Sequence, residues 1–244
     1  MTTYDIRTTG LRDSFLSIER NMAICETKDI PDIVSRKRPN PHMNDRNERL
    51  MNDYKDRRPL FAEFNVAIFK LLQNMLDEGH YKYQITYRTK ALGSLRQKLT
   101  KKEKEGRAYR RLEDMKDLAG VRIIFYFEKD KNRFVKEIGR EISGRLIVER
   151  IKKRSGYKAK HVIVVLGPKR LALNEYKRFR RLKCEVQLTS ILYHAWSEIE
   201  HDLIYKNMDT SQKQSLKRDL DKILKDHIQK AVSDIERISR YIKR

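Results

Sequence analysis

The chain has 244 residues, enough for one domain of ordinary size with helical additions, and its 39% of apolar residues supply a core under a surface crowded by 37% of charged ones. A formal net charge of +22 favours nucleotides, RNA, DNA or an acidic protein as partners and disfavours basic ones. The polar start MTTYDIRTTG, the lack of any membrane-length apolar run, and two cysteines (Cys25, Cys184) outside any CxxC spacing argue against a membrane span, a secretory leader, zinc and a disulfide framework, and fit a reducing cytoplasm.

Residues 1–30 read as a short helical leader and 31–43, with Pro31, Pro39 and Pro41, as a loop. From Asn44 the three- and four-residue steps of Leu60, Phe61, Phe64, Ile68, Leu71, Leu72, Met75 and Leu76 predict a long helix that Gly79 ends. Residues 81–90 alternate as a strand, and 91–105 read as a very basic helix. The run 120–127 (GVRIIFYF) predicts a buried strand, followed by a helix over 129–142. Further strands are expected over 145–151, 159–166 and 183–188, the last two as a hairpin with a long connection. Helices over 189–205 and 212–243 close the chain. The last has a seam of Leu224, Ile228, Ala231, Ile235, Ile238 and Ile242 that packs on the body or on a partner chain. The expected fold is α/β (α+β): a mixed sheet of about five strands flanked by helices. Its organisation is a helical region 1–79, a central domain 80–206 and a C-terminal amphipathic helix 207–244.

Charge is concentrated. Residues 145–183 hold 14 Lys or Arg against two acids, Glu149 and Glu175, a net of +12. A basic run is commonly just a solvated face; the aromatic and glycine residues that interleave this one weigh toward nucleic-acid binding.

Three constellations could carry chemistry. Arg88, Lys90, Ser94 and Lys98 gather at a strand-to-helix junction, where forked and point-charge donors suit a polyphosphate; taken alone they read first as a basic surface helix. Asp117 stands before a buried strand that carries Arg122. A carboxylate there can hold Mg²⁺ or cap a turn, and a cation inside an apolar strand needs a partner, an acid or a phosphate. Tyr157 beside Gly156, then His161, then Glu185-Val186-Gln187, form the third. Strand alternation puts Glu185 and Gln187 on one face, where Glu185 could bind metal or take a proton from an attacking hydroxyl; Tyr157 could stack on a base, and His161 could bond a phosphate or serve the structure. His194, Glu198 and His201 share a helix face with Tyr205. They lack the HExxH order and read as a hydrogen-bonded cluster supporting the sheet. Cys184 reads as a small core residue.

The order of these motifs, RTK with Ser94 and Lys98, DLAGVRI, GYxxxH, then ExQ with HDLIYK downstream, resembles the synthetase domain of RelA/SpoT-type alarmone synthetases. Within that family the chain is similar to the single-domain small alarmone synthetases and their toxin branch. The resemblance covers residues 80–206 and implies a nucleotidyltransferase-like fold. It implies transfer of pyrophosphate from ATP to a ribose 3′-hydroxyl with Mg²⁺, the acceptor usually being GDP or GTP. It further implies that Arg88, Lys90, Ser94, Lys98 and Arg122 bind ATP, that Asp117 and Glu185 are catalytic and hold Mg²⁺, and that Tyr157, His161, Gln187, Lys153 and Arg154 serve the acceptor.

The chain departs from the family pattern on the acceptor side. It reads SGYKAKH where many members read NGYxSxH, and Glu185-Val186-Gln187-Leu188-Thr189-Ser190 lacks the arginine of ExQxRT. The donor half and the metal residues are kept while the acceptor half has drifted, so the resemblance speaks more for 3′-pyrophosphate transfer than for the guanine acceptor; the expected activity is a 3′-pyrophosphokinase with (p)ppGpp as product. The alternative is a toxin that modifies the 3′ end of tRNA, whose backbone would need the basic track. Adenine nucleotide acceptors and a non-catalytic RNA-binding role are the remaining readings. Protein partners implied by the family are a second copy of the chain or an antitoxin.

Overall fold

The apolar steps after Asn44 do produce a helix, α1 (Asp45–Glu78), in which Phe61, Phe64, Ile68, Leu72 and Leu76 are buried. It continues through Pro59, which removes one intrahelical bond on the exposed side. The computed structural model describes residues 45–142, 147–152, 158–204 and 209–241. The expected leader over 1–30 and loop over 31–43 lie outside the described residues, as do Lys153, Arg154, Tyr157 and Tyr205.

The remaining elements follow the alternation of the sequence. They are β1 (Tyr83–Thr89), α2 (Leu92–Lys104), β2 (Ala119–Phe125), α3 (Glu128–Glu141), β3 (Ile147–Lys152) and β4 (Lys158–Val164). After a single helical turn, α4 (Pro168–Leu171), come β5 (Cys184–Ser190), α5 (Ile191–Ile204), α6 (Thr210–Ile223) and α7 (Gln229–Ser239). The five strands form one sheet in the order β1-β2-β5-β4-β3. Only β2 and β5 run parallel; the other neighbours are antiparallel, including the β4–β5 pair expected as a long-connection hairpin.

Alternation gives the sheet two different faces. Val121, Ile123 and Phe125 of β2 and Cys184, Val186 and Leu188 of β5 pack in one cluster with Phe64, Ile68 and Leu72 of α1 and Phe134 and Ile138 of α3. Cys184 is fully buried there, and burial pushes its thiol well up, so it is an inert core residue as expected. The opposite face carries a polar row. Thr86, Arg122, Gln187, His161 and Glu149 stand side by side across all five strands. One row along, Gly120 separates Arg88 from Glu185 and leaves that position without a side chain.

The C-terminal helices differ from the sequence reading in two places. Strand β5 runs through Ser190, so α5 starts at Ile191 rather than at Thr189. Helix α6 begins earlier than Gln212, because Asp209 caps it: its carboxylate accepts from the Gln212 N–H at 2.7 Å while the Gln212 side chain accepts from the Asp209 N–H at 3.3 Å. A π turn at Leu224–Ile228 joins α6 to α7. Leu224 and Ile228 pack with Tyr193 and Trp196 of α5 as the seam predicts. The extra residue of a π turn rotates the helix beyond it by about 100°, so Val232 joins that cluster and Ile235 and Ile238 face outward. Residues 43–244 form one compact unit, and the unit that precedes it lies outside the described residues. Among the described residues no helix is long and apolar enough to cross a membrane.

Candidate active site

A cavity of about 140 Å³ opens on the polar face of the sheet, lined by Arg88, Asp117, Gly120, Arg122, Glu185 and Gln187 among others. The sheet order explains this convergence. The ends of β1, β2 and β5 lie side by side, so residues nearly 100 positions apart in sequence meet on one surface.

Asp117 occupies the approach to β2 and is gripped by two ammonium groups. Lys90 donates to Oδ2 at 2.9 Å and Lys98 donates to Oδ1 at 2.6 Å. Burial alone would raise its pKa, but the hydrogen bonds from Lys98 and Lys90 outweigh it and hold the carboxyl below the usual carboxylate range. The capped-turn alternative for Asp117 is thus replaced by an ion cluster. The cluster is itself fixed: the Tyr54 hydroxyl of α1 donates to the Lys90 carbonyl at 2.6 Å, and Lys98 lies 5.5 Å from the centre of the Tyr109 ring.

Glu185 projects from β5 and is held from both sides. Gln187 Nε2 donates to its Oε2 at 2.8 Å, and His161 Nδ1 on the neighbouring strand lies 3.2 Å from Oε1. Burial pushes this carboxyl up as well; the bonds from His161 and Gln187 outweigh burial and bring it below its usual value, against the opposing charge of Asp117. Two carboxylates, each ionised at neutral pH, therefore face one cavity and feel each other. That is an oxygen-only donor set of the size Mg²⁺ uses when substrate phosphates complete its shell. The residues present fit such an ion.

Arg122 reaches along the polar row to α5, where Nη1 donates to Glu198 at 3.0 Å. His194 Nδ1 lies 3.6 Å from the same carboxylate, and burial holds the His194 imidazole below its ordinary pKa. The cluster read as support for the sheet is therefore what pairs the cation carried by β2, although His201 is exposed. Among the described residues no group of three or more His, Cys, Asp or Glu side chains is arranged to hold a metal ion. Ser94 is exposed in the first turns of α2 and does not line the cavity. Thr86 and Tyr87 of β1 do line it, without having been marked by any sequence motif; the alternation that placed Arg88 could have indicated Thr86. A further contact without sequence signal is the ion pair of Lys116 with Glu149, which spans from the approach to β2 to the far strand of the sheet.

The family described as "Region found in RelA / SpoT proteins" matches residues 87–210, which include every described residue of this cavity except Thr86. A GTP pyrophosphokinase from Bacillus subtilis (strain 168), YwaC, is 26% identical over 201 residues, covering 78% of this chain and 88% of its own. Among solved structures, small alarmone synthetase 2 from Bacillus subtilis superposes with a TM-score of 0.58 at 22% identity, over 76% of this chain and 99% of that one. Small alarmone synthetase 1 from the same organism, bound to its product pppGpp, gives 0.53 at 22% identity, over 81% and 98%. At such identities the structural likeness speaks for the fold, and it is the fold described above.

Proposed function

We infer the function from one premise: this chain belongs to the RelA/SpoT family. We propose that it is an ATP-dependent 3′-pyrophosphokinase whose acceptor is GDP or GTP. The 3′-oxygen of the acceptor ribose attacks the β-phosphorus of ATP, the bond from that phosphorus to the α-phosphate bridge breaks, AMP leaves, and the hydroxyl proton is lost. The observation that supports this most is the pair of ionised carboxylates, Asp117 and Glu185, facing one cavity beside Arg88 and Arg122.

Each residue then has a task set by its chemistry. Lys90 and Lys98 are already gathered at one point by Asp117, so a polyphosphate arriving there meets two ammonium groups without having to collect them. Arg88 adds a forked donor for phosphate oxygens. Arg122, oriented by Glu198, faces the same space. Asp117 and Glu185 would hold Mg²⁺, which when bound neutralises charge on the transferring phosphates. Gln187 and His161 fix the Glu185 carboxylate so that it meets the acceptor hydroxyl in one orientation. A carboxylate held below its usual pKa is a weak proton acceptor. Glu185 is better suited to anchoring charge and orienting the hydroxyl, and the loose transition state of phosphoryl transfer asks little more. Ser94, Lys153, Arg154 and Tyr157 keep the tasks implied by the family pattern, the first with ATP and the others with the acceptor.

A second reading, with the 3′ end of tRNA as acceptor, is favoured by one observation, the net +12 of residues 145–183. A single assay separates the two. ATP labelled on its γ-phosphate is offered with GDP, GTP or deacylated tRNA in parallel, and products are resolved by size. Label on guanine nucleotides is the expected result. Label on tRNA alone would transfer the assignment to the second reading, and no label with any acceptor would contradict both.

A further inference from the structure

A second cavity, of about 520 Å³, opens between the first turns of α1 and the loop that leads into β2. Arg46, Arg49, Arg110 and Arg111 line it together with Leu50, Asp53 and Glu113, and none of these residues lines the transfer cavity.

A structural explanation for arginines at such a junction is that they tie the loop to the helix. Arg57 already does that, lying 3.4 Å from Asp53 and 2.8 Å from Glu113. Both lining carboxylates are therefore bridged by one cation outside the lining set, and the four lining arginines outnumber them. Of the four lining arginines, Arg111 makes a 3.5 Å contact with Asp114 while its side chain stays 72% exposed. Among the described residues no carboxylate pairs with Arg46, Arg49 or Arg110, and all three are exposed. Four guanidinium groups gathered around one space against two carboxylates leave it net positive, and an anion relieves their mutual repulsion. Their planar forks match phosphate in particular, and the volume lies in the range of ligand sites, about 300–1,000 Å³.

The positive surface extends past the cavity. Lys183 donates to the Glu113 carbonyl, which brings the basic turn before β5 against the same loop. In that turn Arg180 and Arg181 are exposed, and Arg181 holds φ at 67°, a left-handed conformation unfavourable for a residue with a side chain.

We propose that this arginine-lined cavity is a second phosphate-binding site, separate from the transfer cavity, that takes the phosphates of an RNA strand or of a free nucleoside polyphosphate. The positive surface continues through Lys183 to the exposed Arg180 and Arg181, and a track of successive cations suits a backbone of successive phosphates, so the RNA backbone is the expected source. The inference goes beyond the transfer reaction and does not depend on it.

The test compares the full chain with a variant carrying Arg46→Gln, Arg49→Gln and Arg110→Gln. The control removes equal charge at exposed positions elsewhere, Lys222→Gln, Lys225→Gln and Lys230→Gln. A short labelled RNA is titrated by fluorescence anisotropy across salt concentrations, and a fluorescent GTP analogue is titrated to saturation to count its sites. The arginine variant is expected to bind RNA at least about tenfold more weakly, with its log–log salt slope reduced by roughly one unit per arginine, while the control changes little. If RNA binding is unchanged but a second equivalent of the GTP analogue is lost, the site stands and its source is free nucleotide. Equal weakening in variant and control, or no change in either titration, overturns the proposal. Transfer to GDP, read on the same preparations, is expected to stay at the unsubstituted level. If the unsubstituted chain shows none, the function proposed above fails and the binding result still decides this one.

Discussion

Asp117 is the residue on which most of the site's electrostatics turns. Two ammonium groups satisfy it while its side chain is only 23% exposed, so its ionisation is linked to stability. Its folded pKa lies below the ordinary value. The stability it contributes is therefore fully present above the unfolded pKa of about 4 and is lost as pH falls through the lowered folded value. Replacing Asp117 by Asn removes the titration and leaves Lys90 and Lys98 facing an uncharged amide. The variant should be less stable than the unsubstituted chain by about 2 kcal/mol at neutral pH, and the difference should shrink as the pH drops below about 4. Melting temperatures recorded across that range check this. A constant difference at every pH would mean that the ion cluster contributes nothing through its charge. Residues of this kind were legible in the sequence, because Asp117, Glu185 and Arg88 are charged groups at the ends of apolar strands, where solvation alone does not account for them. Their partners were less so. That Glu198 pairs Arg122 depends on a contact across 76 positions, and periodicity carries no information at that separation.

At the level of elements, local pattern was a good guide to existence and a poor one to termini. Strand β5 absorbs Thr189 and Ser190, because in register they pair with Ile124 and Phe125 of β2, a tertiary fact that local helix propensity does not see. The seam of the last helices holds as far as Ile228 and then rotates, because the π turn adds a residue that no three-and-four pattern anticipates. What α5 and the last helices do share is a small apolar cluster of Tyr193, Trp196 and Leu224, with the Trp196 indole donating to the Leu220 carbonyl at 3.2 Å. Because α5 also delivers Glu198 to Arg122, this cluster supports the site from behind. Trp196→Ala should cost about 3–5 kcal/mol and lower the melting midpoint by roughly 10 °C. An unchanged melting curve would show that these helices do not unfold together with the sheet.

The molecule as a whole places a strongly positive chain around a pair of negative charges. The net charge of +22 draws anions toward the surface from a distance. The cavity on the polar face then supplies what distinguishes one anion from another: two carboxylates with fixed orientation, Arg88 and Arg122 lining the space, and Lys90 and Lys98 bonded to Asp117 beside it. The sheet order achieves this by bringing β1, β2 and β5 together. The central claim is that Glu185 is needed for transfer through its charge rather than for folding. Its most direct test is Glu185→Gln, an amide of nearly the same shape. Transfer of γ-labelled pyrophosphate from ATP to GDP is measured on folded protein whose melting temperature is close to that of the unsubstituted chain. The account predicts a loss of about a hundred- to a thousandfold in rate, the range seen when one group that stabilises transition-state charge is removed. Transfer at an undiminished rate would contradict it.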